Sequence, residues 1–407
     1  MKDIPPHDYT MTWDVDGGRP NQMWDSYQDA PHKEALVDVS SWTWRGAGPY
    51  RVRFIASDSQ GHPIISRTVA VYIGAHGAAQ AAASAASLSS QAVAVSSSVN
   101  AALSSAPPLL PVQNNGNPLS GMTLYVDPNS DAKRQADAWR ASRPGDASAL
   151  DKIAEAPSAW WFGNWNSNLT GDVRSAMNAA AGQGAIPVMV AYNIPQRDCG
   201  GYSAGGSGSP DAYRSWIASM AAAIGNRKAA VILEPDALAG MDCLSAADQQ
   251  MRLSLLQNAV QTFKAQGPIA VYIDAGHPGW VATSTMAARL QNAGIGKADG
   301  FALNVSNFQT DDANRSYGSA ISAQVDGKHF VVETSRNGNG PSSDNQWCNP
   351  AQRALGRKPT TDTGDSLVDA YLWIKGPGGS DGQCNGGPAA GIWWPDYALG
   401  LAQRTPW

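Results

Sequence analysis

From Asn117 onward, short apolar runs alternate with longer stretches of helical pattern. The runs are "MTLYV", "AWWFG", "IPVMVAY", "AAVILE", "IAVYIDA", "GFALNV", "HFVVETS" and "AYLWIK". They are too short for helices and read as buried strands. Between most of them lie "GDVRSAMNAAAGQ", "PDAYRSWIASMAAAIG", "AADQQMRLSLLQNAVQTFKAQG" and "VATSTMAARLQNA", which read as helices. Strand–helix–strand repetition predicts a parallel sheet closed as an α/β barrel of seven or eight strands.

The earlier part of the chain is patterned differently. Residues 8–74 read as short strands, with "RVRFIAS" and "RTVAVYI" alternating apolar and polar positions around the turn "DSQGHP". "DVSSWTWRGAGPY" precedes them as a further strand and loop. A small immunoglobulin-like β-sandwich is predicted over 1–76. Its Trp13, Trp24, Trp42 and Trp44 serve either sugar stacking or the core. An Ala/Ser-rich stretch and "SSAPPLLPVQNNGNP" follow, so 77–116 reads as a linker and 117–407 as the main domain.

Composition narrows the function. Charged residues make up 15%, the net charge is −5, and no basic block occurs, which argues against nucleic acid as a partner. No apolar run approaches a membrane span. The 15 tryptophans fit sugar-binding faces or core filling, and burial is the commoner fate. The four cysteines form no CxxC pair and the six histidines no His-x-x-x-His pair, so neither a metal nor another cofactor is expected. Separated cysteines in even number fit two disulfides and an oxidising compartment, and a secreted monomer is expected. "MKDIPPHDYT" lacks the apolar core of a signal peptide, which fits a cytosolic protein or a chain already trimmed of its signal.

In an α/β barrel the chemistry sits at the carboxyl ends of the strands. Asp198 follows "VMVAYNIP", Glu234 and Asp236 follow "AAVIL", Asp274 ends "IAVYI", Glu333 ends "HFVV", and Lys375 and Asp381 follow "AYLWI". Each alone is explained by a helix cap or a salt bridge. Five strand ends delivering carboxylates to one rim point to an active site. Several carboxylates without a metal cluster suggest glycoside hydrolysis, which needs one protonated carboxyl and one ionised partner. Asp198 and Asp236, on neighbouring loops, are suited to be a pair in which one charge raises the other's pKa. Arg197, Arg336 and Lys375 are available to hold another carboxylate ionised.

At these residues the chain resembles glycoside hydrolase family 6. The resemblance rests on "YNIPQRDCGGYSAGG", "ILEPDALAG", "DAGHPGW", "LNVSNF", "ETSRNG", "QWCNP" and "WIKGPGGSDG", in order, from about Asn117 to the C-terminus. It implies inverting cellulases with a distorted seven-stranded α/β barrel. By position it implies Asp236 as general acid and Asp198 as the aspartate that raises its pKa. Tyr192 matches the residue crowding the distorted sugar, and Asp381 the candidate base, with Arg336 and Lys375 paired to it. Ser203, in the loop after Asp198, is placed to hold the attacking water. Trp161, Trp280 and Trp347 match sugar-stacking tryptophans, and His277 a sugar-bonding histidine. Asn304 and Asn307 read equally as sugar contacts or loop braces. The resemblance pairs Cys199 with Cys243 and Cys348 with Cys384.

Two departures stand out. Gly379 lies where the family usually places a sugar-contacting glutamate. Glu333 stands where aspartate is common, which makes it a reserve candidate for the base. The stretch after the linker is short, and the segment from Asp381 to "GIWWPDYALGLA" very short, which leaves little chain to roof the cleft. An open groove and an endo-β-1,4-glucanase acting on cellulose or a related β-1,4-glucan are expected. A cellobiohydrolase and a non-catalytic polysaccharide-binding protein are the alternatives.

Overall fold

The computed structural model describes residues 9–15, 21–24, 50–58, 63–71 and 116–407. The chain divides into two compact units, Met1–Leu109 and Leu110–Trp407. In the first, β1 (Tyr9–Val15), β2 (Asn21–Trp24), β3 (Tyr50–Asp58) and β4 (Pro63–Val71) form an antiparallel sheet in the order β2-β1-β3-β4. β3 and β4 are the hairpin expected from their alternation, pairing Tyr50 with Val71 and Ile55 with Ser66. A second layer, as a sandwich requires, is not among the described residues. "DVSSWTWRGAGP", with Trp42 and Trp44, and the linker expected over 77–116, save Gly116, also lie outside them.

The second unit is built on seven parallel strands: β5 (Trp160–Phe162), β6 (Val188–Ala191), β7 (Ala229–Leu233), β8 (Ile269–Asp274), β9 (Gly300–Leu303), β10 (His329–Glu333) and β11 (Val368–Leu372). They lie side by side in chain order. Helices α1 (Asp131–Trp139) and α2 (Pro144–Ala154) precede β5. The next five crossovers carry α3 (Leu169–Gly182), α4 (Pro210–Ile224), α5 (Ala246–Gln266), α6 (Thr283–Asn292) and α7 (Asp311–Ser322), and α8 (Pro395–Gln403) follows β11. Several helices start where the sequence places a cap: Ser209, Ser245 and Thr310 accept from the amides of Ala212, Asp248 and Ala313.

The strands' period of two sorts their side chains into two cores. Val190, Tyr192, Ile232, Tyr272, Ala302, Val331 and Leu372 pack inside the curl of the sheet. Met189, Val231, Leu233, Val271, Ile273, Phe301 and Val332 face outward and meet Met220, Leu256, Phe263 and Ile321 of the helices. Burial on both faces is why these strands read as continuous apolar runs.

The edge strands β5 and β11 share no ladder among the described residues. Three donors bridge the seam instead. Ala159 N donates to Trp373 O at 2.9 Å, Trp161 Nε1 to Ile374 O at 2.7 Å, and Asn117 Nδ2 to Asp369 O at 2.9 Å.

Gly318 on α7 tests how closely helix and sheet approach. A Cβ there would sit 2.5 Å from the Phe330 ring. Ala is favoured over Gly in a helix interior by about 1 kcal/mol. Gly318→Ala should nonetheless destabilise the protein by about 1–3 kcal/mol, the usual cost of overpacking. Urea unfolding of the two proteins measures the sign, and a gain in stability would contradict this packing.

Candidate active site

The residues that enter the rim do so through unusual backbone. Gln196, Asp198 and Cys199 after β6, Glu234 and Asp236 after β7, and Asn304 and Ser306 after β9 all have φ between 48° and 69°. Such positions cost about 1–3 kcal/mol each unless their surroundings hold them. Here they turn the chain sharply at each strand end, so that polar groups crowd over the mouth of the sheet.

Asp198 is oriented by its own loop. Its Oδ2 accepts from Ser203 N at 2.7 Å and from Ser203 Oγ at 2.9 Å. Ser203 Oγ also lies 3.2 Å from Tyr192 Oη. Arg197, 5% exposed, forms no salt bridge with a carboxylate among the described residues. It donates to Tyr192 O, Ser203 O, Ala204 O and Asn164 Oδ1. Its guanidinium lies 4.6 Å from the Tyr192 ring centre. Arg197 therefore folds the loop into shape rather than pairing with an acid at close range. Gly206 completes the turn: at φ +95° a Cβ would lie 1.9 Å from Ile194 O, which no side chain tolerates.

Asp236 is half-buried, and its amide donates to Asp274 Oδ1 at 3.0 Å. Burial, then the charges of Asp274 and Asp198, push its proton affinity well above the carboxylate range, against Lys375. Asp274 is itself pushed up to about 7 by burial. Its Oδ1 also accepts from Gly276 N, while its buried Oδ2 has no hydrogen-bond partner among the described residues, which favours the protonated form.

Across the mouth the balance is reversed. Asp381, 6% exposed, accepts at Oδ2 from Arg336 Nη1 at 2.8 Å and from Asn349 N at 2.9 Å. Its Oδ1 is 3.6 Å from Lys375 Nζ. Burial would raise its pKa, but the charges of Arg336 and Lys375 win and hold it below the usual range. Arg336 is fully buried and also donates to Ser306 O. Lys375 donates to Ser380 O, and burial depresses its pKa.

Glu333 stands apart from this pair. It is 1% exposed, and its two oxygens accept the amides of Ser335 and Lys375. It ties the ends of β10 and β11, with both oxygens engaged by backbone amides. Glu234 plays the matching part at β6 and β7, accepting from the amides of Asn193 and Ile194 at 3.0 Å. Burial pushes both up to about 7.

Cys199 bonds to Cys243 and Cys348 to Cys384, the pairs implied by the family resemblance. The first joins the Asp198 loop to the loop beyond Asp236. The second pins Asn349, which binds Asp381 through its backbone amide and, through its side chain, Asp381 N, Gly382 O and Cys384 O.

The aromatic residues line the same rim. Trp161 is partly buried with its ring edge-on to Tyr192 at 5.2 Å. Trp280 is 41% exposed, with His277 5.3 Å away, and Trp347 is 51% exposed. His277 Nδ1 lies 2.8 Å from Pro278 O, and burial lowers its pKa. The neutral ring thus donates from Nδ1 and leaves Nε2 to accept from a hydroxyl. Asn304, expected as a sugar contact or a brace, is fully buried with its amide spent on Gln309 and Glu333 backbone groups, so it is a brace. Asn307 is partly exposed and accepts from Phe308 N.

Sequence reasoning missed Asn349 and Tyr202 and gave two other contributors no part. Asp274 and Glu234 were visible as strand-end acids without a role. Asn349 carried no signal beyond its place after Cys348. Tyr202, 50% exposed, reaches from the Asp198 loop to within 6.2 Å of the Trp347 ring and lies over Gly382, where a Cβ would be 2.3 Å from its Cγ.

A model of glycosyl hydrolases family 6 matches residues 119–405. Endoglucanase A of Cellulomonas fimi is 45% identical over 293 residues, which is 71% of this chain; the chain spans 62% of that protein's length. The solved structure of endoglucanase Cel6 from Mycobacterium tuberculosis, in complex with methyl-cellobiosyl-4-deoxy-4-thio-β-D-cellobioside, is 45% identical. It covers 71% of this chain and 99% of its own, with a TM-score of 0.67. A probable 1,4-β-D-glucan cellobiohydrolase C of Aspergillus niger is 28% identical over 365 residues, 73% of this chain and 79% of its own.

The raised pKa values carry a sign. Glu234, Asp274 and Glu333 bind protons more tightly folded than unfolded. Their stabilising effect is full below the ordinary carboxylate range and is lost as pH rises through about 7. Asp381 acts oppositely, and its contribution is lost as pH falls through its depressed value. Folding stability should therefore decline between about pH 5 and pH 8. Asp274→Asn keeps both acceptor bonds and cannot ionise, so it should lose about 1–3 kcal/mol less over that range. Urea titrations at the two pH values measure the difference, and equal losses would refute this assignment.

Proposed function

From a chain that belongs to glycosyl hydrolases family 6, we infer an endo-β-1,4-glucanase that hydrolyses internal bonds of cellulose or a related β-glucan with inversion. The observation that carries this is the contrast between two carboxyls at one rim. Asp236 holds its proton beside Asp274 and Asp198, while Asp381 is kept ionised by Arg336 and Lys375. An inverting glycosidase needs such a pair, one acid and one base on opposite faces of the sugar.

In this reading Asp236 protonates the departing glycosidic oxygen. Asp198 supports the positive charge that develops at the anomeric carbon. Tyr192, 5% exposed beneath the site, crowds the sugar ring. Water attacks from the other face, and its proton passes to Asp381 Oδ1, the oxygen that accepts no hydrogen bond from Arg336 or Asn349. Ser203 orients that water from the Asp198 side. Trp161, Trp280 and Trp347 supply stacking faces, and His277 a hydroxyl contact. The two disulfides favour work in an oxidising, extracellular setting. The higher identity to named endoglucanases than to a named cellobiohydrolase supports internal cutting.

Three measurements check it. Carboxymethyl cellulose should lose viscosity steeply while few reducing ends appear; slow thinning with steady cellobiose release would instead mean end-wise action. Proton NMR of the first product should show the α-anomer, and an initial β-anomer would rule out single displacement. Asp236→Ala should lower kcat on cellulose about 10²–10⁴-fold, the usual worth of a general acid.

A further inference from the structure

Arg252, on α5, lies outside every role given above, yet its contacts converge on both loops that bear the central aspartates. It is 3% exposed. Its Nη2 donates to Pro195 O at 3.0 Å and Gln196 O at 2.8 Å, just before Asp198. Its Nη1 donates to Ala237 O at 3.2 Å, just after Asp236. These partners are carbonyls rather than a carboxylate, and Nε has none among the described residues.

Burying a cation against carbonyls is expensive, and a methionine of similar volume would fill the space without that cost. Burial accordingly depresses the pKa of Arg252, against the carboxylates of Glu234 and Asp248. What the guanidinium does that a methionine cannot is fork across two segments of chain. One of these contains Gln196 and the other follows Asp236, both with positive φ. Glu234 holds the same first segment from its other pole, through the amides of Asn193 and Ile194. Residues 193–196 are thereby gripped in turn by an acceptor and a donor, each belonging to elements that also fix Asp236.

We propose that Arg252 is a positioning residue: its guanidinium clamps the Asp198 and Asp236 loops to one another and so aims the Asp236 carboxyl at the glycosidic oxygen. This rests on the reading of Asp236 as the proton donor. A misaimed acid harms only reactions that need its proton. It also changes the spacing of Asp236 from the groups that face it, which are Asp198, Asp274, Asp381, Lys375 and Tyr192.

The test compares wild type, Arg252→Met and Arg252→Lys on two substrates. One is carboxymethyl cellulose, whose leaving group needs protonation. The other is 2,4-dinitrophenyl β-cellobioside, whose leaving group departs without it. The Met variant should lose about tenfold or more in kcat on the first, and less than about threefold on the second. The alkaline limb of its pH profile should move to lower pH, and Lys should restore part of the loss. Equal losses on both substrates, or no loss on either, with the limb unmoved, would reduce Arg252 to a fold-supporting residue. If the Met variant does not fold, the Lys variant is judged by the same ratio and the same limb. Wild type inert on both substrates would defeat the glucanase reading itself, a distinct result.

Discussion

The buried ion pair of Arg336 and Asp381 is the fixed point of the rim. The two side chains are 0% and 2% exposed and 2.8 Å apart. Breaking such a pair by removing one partner typically costs about 3–5 kcal/mol, because the other charge is left buried and alone. The pair also joins distant chain. Arg336 follows β10 and holds the carbonyl of Ser306 beyond β9, while Asp381 follows β11 and is held by Asn349. Neither loop can shift without exposing or orphaning a charge, so this side of the mouth is rigid.

The opposite side solves the reverse problem. There Asp236 holds its proton more tightly than an ordinary carboxyl does. Burial supplies part of this, and the crowding of Asp236 with Asp274 and Asp198 supplies more. Like charges repel, so the crowding has to be enforced. The strained φ values after β6 and β7, the Glu234 brace and the Cys199–Cys243 bond all act to that end. The two halves are complementary: cations keep Asp381 ionised, and further acids keep Asp236 neutral.

Much of this was legible in the sequence because strand period and burial write directly into composition. The seven runs that became β5–β11 were all readable, and strand ends delivered Asp198, Asp236 and Asp381 to one rim. The hairpin of β3 and β4 was equally plain from its alternation. What the sequence could not separate was acid from acid. Glu234 and Asp236 lie two residues apart, and Glu333 ends its strand as Asp274 does. Only the backbone turns decide that Glu234 and Glu333 spend their oxygens on amides while Asp236 keeps its carboxyl at the rim. Asn304 shows the same ambiguity, since an amide that braces a loop reads like one that binds a sugar. Asn349 and Arg252 act across the fold, over separations that no local pattern records.

Gly382 sets a mutual exclusion between two parts of the rim. The Tyr202 ring and a side chain at position 382 cannot occupy their places together, because a Cβ would stand 2.3 Å from Tyr202 Cγ. The contact links the loop of Asp198 to the loop of Asp381. Tyr202 is half exposed and Gly382 buried, so the two loops meet where the rim passes into the interior. The bareness of one glycine thus lets two rim loops close on each other through a contact that involves none of the acids.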